Sequence, residues 1–123
     1  MKTNDRLALI KDRYMQDGLA TRLGGLAANL ARISSFSDDI RHLQAVDDLL
    51  IESEHFIECT AKDAELKDQE RLVELQLELA GWQFRLREVW DDESKRREIA
   101  DVAKNWSNEV LEMSGLLKTS GSR

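Results

Sequence analysis

The sequence predicts an all-α protein: an antiparallel up-down bundle of about four helices, whose first helix is kinked or split near Gly18. Three observations predict this class. The 123 residues contain no proline, so the strongest helix breaker is absent. Charged residues make up 34% of the chain, which suits helices with long solvated faces. Apolar residues recur three and four positions apart, the spacing that places them on one side of a helix.

The first helix is expected to begin at Thr3 or Asn4 and to change its apolar face near Gly18. From Met15 onward, one face collects large apolar residues, namely Met15, Leu19, Leu23, Leu26, Leu30 and Ile33. Small residues gather on the opposite side, namely Ala20, Gly24, Ala27, Ala28 and Ala31. Because small side chains let helices pack tightly, this second face predicts the close approach of another backbone.

The second helix is expected to follow a loop over residues 34–39, SSFSDD. Either Ser35 with Asp38, or Ser37 alone, has the spacing of an N-terminal cap. One face of the helix then carries Leu43, Val46, Leu50, Ser53, Ile57 and Ala61. Thr60 and Asp63 have capping-box spacing, which indicates a boundary there; the alternative is a helix that continues through.

The third helix is predicted to be apolar on two sides. The stretch from Val73 to Leu86 alternates apolar and polar residues, but its Leu, Glu, Gln and Arg residues favour a helix. One stripe, assigned to the core, consists of Leu72, Leu75, Leu79, Trp82, Leu86 and Val89. A second lies roughly 160° away and contains Leu66, Val73, Leu77, Ala80 and Phe84. This helix either sits centrally in the bundle or presents one face to another chain. Since a four-helix bundle needs one broad apolar face per helix, we expect Leu66, Val73, Leu77 and Phe84 to form an interface.

The fourth helix is expected to start at an aspartate cap within residues 90–93. Asp92 with Arg96, and Glu93 with Arg97, have the favourable order of oppositely charged residues four apart. A single stripe follows, consisting of Ile99, Val102, Ala103, Trp106, Val110, Met113 and Leu117.

Length and composition bound the organisation and the partners. The chain is expected to be a single helical domain over residues 1–117, with a disordered tail over residues 118–123. Cys59 is the only cysteine, so no internal disulfide is possible and a reducing cytoplasm is expected. A net charge of −6 argues against a nucleic-acid partner, because such binding depends on phosphate neutralisation. No apolar run is long enough to span a membrane or to act as a signal peptide.

The residues indicate no catalytic constellation, so we expect no enzymatic activity and no cofactor. Residues 52–55 match Glu-x-x-His, the ligand pair of di-iron bundles, but the only similar segment, residues 39–42, lies on the same helix. Glu52, His55 and Cys59 are weak candidates for a surface metal or redox site. One histidine and one cysteine fall short of a four-ligand zinc site, and this side of the helix is expected to face water.

The segment NDRLALIKDRYMQDGLATRLGGLAANLARI, residues 4–33, resembles the N-terminal region of small all-helical proteins of cyanobacteria that have no assigned activity. The resemblance covers about a quarter of the chain. It implies a cytoplasmic bacterial protein, and it implies no activity and no site residues.

The leading hypothesis from the sequence is a non-enzymatic interaction module, either a homodimer or a complex with another helical protein. The two-sided third helix motivates it. The alternative is a helical bundle that binds a metal or a small ligand, in which Trp82 and Trp106 line a pocket between helices.

Overall fold

The computed structural model describes residues 6–10 and 18–115. Residues 6–10 are helical, and within the described range four longer helices follow: α1 (Leu19–Phe36), α2 (Leu43–Thr60), α3 (Leu66–Val89) and α4 (Glu93–Ser114). Short 3-10 helices, Ile40–His42 and Ala61–Asp63, flank α2. The described residues contain no strand, so the predicted all-α class is confirmed.

The start of α1 lies directly after Gly18, whose backbone is extended, with φ −69° and ψ 166°. The predicted kink or split would join residues 6–10 to α1 through residues 11–17, which lie outside the described residues. The predicted tail, residues 118–123, also lies outside them.

The core is formed by one face of each of the four helices. Its most deeply buried side chains are Leu23, Leu26, Leu30 and Ile33 of α1, Val46, Leu50 and Ile57 of α2, Leu72, Leu75, Leu79 and Leu86 of α3, and Ala103 and Val110 of α4. Each of them belongs to a stripe predicted from the spacing. Trp82 and Trp106 are also buried, as predicted.

Among the described helices, α1 and α4 approach each other most extensively. The Ser34 hydroxyl donates to the Ala100 carbonyl at 2.7 Å, and the Ser107 hydroxyl donates to the Ala27 carbonyl at 2.7 Å. A side chain as short as serine reaches a neighbouring backbone only where two helices lie close together. The predicted small-residue face therefore contributes Ala27, whereas the remaining alanines of that face, Ala20, Ala28 and Ala31, are exposed.

The second helix packs against both α1 and α3. Arg22 of α1 donates to the Cys59 carbonyl at 2.9 Å and pairs with Asp63 at 2.9 Å. Further along, the Asn29 amide donates to the Glu52 carboxylate at 3.1 Å. These bonds hold the middle and the C-terminal end of α2 against α1.

The loop between α1 and α2 is capped differently from the prediction. The Ser37 hydroxyl donates back to the Ile33 carbonyl at 2.7 Å and so closes the end of α1. Asp39 caps the 3-10 turn, accepting the Arg41 backbone N–H at 2.9 Å. Caps by Ser35 with Asp38, or by Ser37 alone, were wrong, because α1 continues through residue 36.

The boundary at Thr60 is confirmed, since α2 ends there and a 3-10 turn follows. Its mechanism is not the predicted one, because the Thr60 side chain does not cap that turn. The Gln69 side-chain amide instead crosses the junction and donates to the Ala64 carbonyl at 3.1 Å.

The start of α4 agrees with its predicted cap. The Asp92 carboxylate accepts the backbone N–H groups of Ser94 at 2.9 Å and Lys95 at 3.3 Å. Glu93 and Arg97 form the predicted pair at 3.3 Å. Two carboxylates thus lie at the positive end of the α4 dipole, where they stabilise it.

The predicted pair of Asp92 with Arg96 was wrong. Arg96 is buried and donates to the Trp90 carbonyl at 2.6 Å. The Trp90 indole N–H in turn donates to the Ile40 carbonyl at 2.6 Å. This chain of bonds fastens the loop before α2 to the turn between α3 and α4, a contact between distant segments that helix spacing does not encode.

Candidate functional site

The candidate site is an exposed apolar surface on α3, here called the outer stripe. It consists of Leu66, Val73, Leu77 and Phe84, whose exposed fractions are 73%, 50%, 70% and 85%. Two other large apolar side chains in the described part of the chain, Leu9 and Ile40, are about half exposed and lie outside α3. Continuous exposed apolar surface is the feature that distinguishes binding sites from scattered surface leucines.

The geometry of α3 explains why this surface is left uncovered. Residues two apart on an α-helix point about 200° apart, so Leu77 faces away from Leu75 and Leu79. Leu75 and Leu79 point into the core, where α2 and α4 cover them. In the part of the chain that the structure describes, the outer stripe has no such cover.

One flank of the outer stripe is charged and is tied to α4. Arg71 donates to Glu109 at 2.8 Å, also pairs with Glu74, and lies 4.5 Å from the centre of the Trp106 ring. The hydrogen bond from Arg71 lowers the pKa of the Glu109 carboxyl, and the same bond raises the pKa of Arg71. The Trp106 indole N–H donates to Glu78 at 3.0 Å. On this flank Glu74 is thus paired with Arg71, and Glu78 accepts a hydrogen bond from an uncharged indole.

The opposite flank is neutral. It consists of Gln69, Gln76 and Gln83, all half-buried. Gln83, Ala80 and Phe84 line a shallow surface cleft of about 440 Å³. An uncharged flank removes like-charge repulsion as an obstacle to a second helix on this side.

Two charged residues, Glu70 and Arg87, lie on the same line as the outer stripe, and a search for apolar residues alone misses them. Both are exposed. Arg87 reaches only Asp47, at 4.0 Å, while Glu70 makes no ion pair with any described residue. The alternating spacing of three and four, continued through charged positions, is the sequence signal that identifies them.

The metal or redox candidates on α2 are not arranged as a site. Glu52 accepts a hydrogen bond from Asn29, and His55 is half-buried. Cys59 is buried, so the prediction that it faces water was wrong; Arg22 spans this end of α2 and bonds the Cys59 carbonyl. Within residues 6–10 and 18–115, no group of three or more His, Cys, Asp or Glu side chains could hold a metal ion.

The two tryptophans hypothesised to share a pocket lie in different surroundings. Trp82 lines a surface cleft of about 260 Å³ at the junction of α3 and α4, together with Arg85, Val89, Lys95, Glu98 and Ile99. Trp106 lies elsewhere, against Arg71 and Glu78.

None of the helices in the described range is long and apolar enough to cross a membrane. A comparison with protein-family models, curated proteins and solved structures gives no match to this chain.

Proposed function

We propose that this chain is a non-enzymatic protein-protein interaction module that self-associates as a homodimer through the outer stripe. The observation that carries the proposal is the exposure of Phe84 and Leu77 on a helix whose opposite face is buried in the core. The absence of enzymatic activity rests on the sequence, in which no nucleophile, base and orienting group share a recognisable pattern.

Burial of the outer stripe supplies a driving force of the right size. Fully burying a leucine or phenylalanine side chain contributes about 1.5–3 kcal/mol. Phe84 and Leu77 are mostly exposed in one chain, so most of that contribution is still available, and a two-fold dimer uses each side chain twice. Association itself costs about 4–15 kcal/mol because translational and rotational freedom are lost. The two contributions are of similar size, so a reversible dimer is the expected outcome.

The proposal includes the up-down antiparallel arrangement within one chain, with a break in the first helix at Gly18. The extended backbone of Gly18 supports the break. The bonds between α1 and α4 support the antiparallel order, because Ala27 is joined to Ser107 whereas the later residue Ser34 is joined to the earlier residue Ala100.

Spin labels at Thr21 and Glu112 test that order. Both residues are exposed, and they lie near the start of α1 and the end of α4. Antiparallel helices bring these ends together, well within the roughly 27 Å length of an 18-residue helix. A separation greater than that length would contradict the antiparallel order.

A cytoplasmic location and the absence of a nucleic-acid partner are also proposed. Their support is the single cysteine, Cys59, and the net charge of −6. Cell fractionation that recovers the chain outside the cytoplasm, or retention on a nucleic-acid column at moderate salt, would contradict them.

The main experiment is a measurement of molar mass by light scattering, over total concentrations from about 1 µM to about 1 mM. We expect the mass to rise from the monomer value of 14.1 kDa towards twice that value. Leu77→Glu and Phe84→Glu are each expected to hold the mass at the monomer value, because a charge on the outer stripe must lose its hydration on association.

The matched control is Leu9→Glu, which places the same charge on a half-exposed leucine outside α3. It is expected to leave the concentration dependence unchanged. A monomeric mass at every concentration would overturn self-association, and a dimer that persists in both Leu77→Glu and Phe84→Glu would overturn the assignment of its surface.

A further inference from the structure

We infer that the partner of α3 is the α3 helix of a second copy, running antiparallel in one defined register. The inference rests on the proposed self-association and specifies its geometry. In this register the helices cross between Leu77 and Ala80, so that Leu77 of one copy packs on Ala80 of the other and Val73 packs on Phe84. Glu70 of each copy then faces Arg87 of the other.

The first argument is the spacing of the exposed residues. A line of seven residues, here called the seam, follows α3 with alternating steps of four and three: Leu66, Glu70, Val73, Leu77, Ala80, Phe84 and Arg87. Every one of them is exposed. A stripe with this strict alternation is the narrow contact line of a two-helix coiled coil, in contrast to the broader face of a helix in a globular core.

When the seam of one copy is placed antiparallel to the seam of a second copy, residues that face each other form matched layers. Each apolar layer combines a larger side chain with a smaller one, Leu77 with Ala80 and Phe84 with Val73. The charged layer combines a carboxylate, Glu70, with a guanidinium. Two-fold symmetry repeats each layer, which is the pattern of a self-complementary interface. Leu66 lies at the edge of the overlap.

The third argument comes from the flanks of the seam. A two-fold axis between antiparallel helices brings each flank against the same flank of the other copy. Lys67 thereby meets Glu88 on one side, and Gln76 meets Gln83 on the other. In such pairs the flanking residues set partner choice and orientation, and here both sides are compatible.

The competing registers are less compatible. A parallel pair would stack Glu70 on Glu70 and Arg87 on Arg87, which are two like-charge layers. An antiparallel pair shifted by one heptad would face Glu70 with Ala80 and bring Glu74 against Glu74. Like charges placed opposite each other disfavour both arrangements.

The charged residues of the seam are available for this pairing. Arg87 is 65% exposed at its side chain and is 4.0 Å from Asp47, a distance at which it holds no close hydrogen bond. Glu70, Lys67 and Glu88 are exposed and form no ion pair with any described residue. Pairing therefore breaks no close bond within the chain.

Directed cross-linking tests the register. Two single-cysteine proteins, Val73→Cys and Phe84→Cys, are made in a Cys59→Ala background and oxidised separately and as a mixture. We expect the mixture to give a disulfide between positions 73 and 84. Each protein alone is expected to give little dimer, because identical positions of the two copies lie about 16 Å apart along antiparallel helices. Cross-linking within Val73→Cys alone would indicate a parallel pair and would overturn the inference, as would no cross-link in a mixture whose mass is dimeric.

Charge reversal supplies an independent test. Arg87→Glu alone and Glu70→Arg alone are each expected to weaken dimerisation about tenfold or more, since each creates two like-charge layers. An equimolar mixture of the two variants restores both layers and is expected to regain wild-type affinity. In a parallel pair, Arg87→Glu would exchange one like-charge layer for another and leave the affinity unchanged, which would overturn the register.

Self-association and the register can be refuted separately. A wild-type mass that stays monomeric at every concentration removes the proposed function together with this inference. A dimeric mass combined with the wrong cross-link, or with an unaffected Arg87→Glu variant, removes the register alone.

Discussion

Two leucines of α3 provide a direct test of its two faces, because they lie two residues apart and differ mainly in direction. Leu79 is fully buried in the core, and Leu77 is 70% exposed. We expect Leu79→Ala to be strongly destabilising and Leu77→Ala to be nearly neutral while the chain is monomeric.

The magnitudes follow from the two environments. Truncation of a fully packed leucine costs about 3–5 kcal/mol, because the lost transfer energy is increased by the cavity left behind. Truncation of Leu77 removes only the buried third of a contribution of about 2 kcal/mol, which is about 0.6 kcal/mol. The higher helix propensity of alanine offsets a few tenths of that. The two free energies of unfolding should therefore differ by about 2.5–4.5 kcal/mol.

The assay is urea unfolding followed by circular dichroism, at about 1 µM and again near 1 mM. At the higher concentration the cost of Leu77→Ala is expected to grow, since association stabilises the folded chain by mass action. The cost of Leu79→Ala should not change by the same amount. Equal costs for the two substitutions in the dilute sample would refute the assignment of inner and outer faces.

Three further predictions concern the helix contacts and the half-buried Glu54. Ser107→Ala removes the bond to the Ala27 carbonyl and is expected to cost about 1 kcal/mol in urea unfolding; an unchanged midpoint would contradict that contact. Gly81→Ala is expected to stabilise by about 0.5–1 kcal/mol, because a Cβ there meets only the flexible end of Arg85, at 3.5 Å. Burial raises the pKa of Glu54, so its charged form destabilises the fold at neutral pH. Glu54→Gln should therefore raise Tm at pH 7. The gain should disappear below about pH 4, where the Glu54 carboxyl is protonated in the folded and the unfolded state. An equal gain in Tm at both pH values would contradict this.

Burial was predicted correctly for residues whose direction within a single helix decides whether they are covered. Leu30, Leu50 and Leu79 are each centred in an apolar stripe, so any neighbour that covers the stripe buries them. Predictions failed at helix ends. Cys59 lies on the predicted polar side of α2 but is buried in the hydrophobic core, and Arg22 of α1 bonds its carbonyl.

The outer stripe was predictable because the direction of its side chains is also set within a single helix. The angle between Leu77 and Leu79 is a property of the helix, so their opposite directions follow from the sequence. The charged members of the seam were missed because Glu70 and Arg87 are recognisable only as a continuation of the exposed line. That line is defined once α2 and α4 have covered the other face.

By itself, the sequence determined the helical class, the boundaries at Thr60 and Asp92, and the presence of two apolar stripes on α3. These depend on local propensity and on the period of the helix. The tertiary structure decided which segments meet: Ser107 with Ala27 across eighty residues, and Trp90 with Ile40 across fifty. The physical reason is that such bonds depend on how the helices are aligned in space, and no local pattern along the chain specifies that alignment.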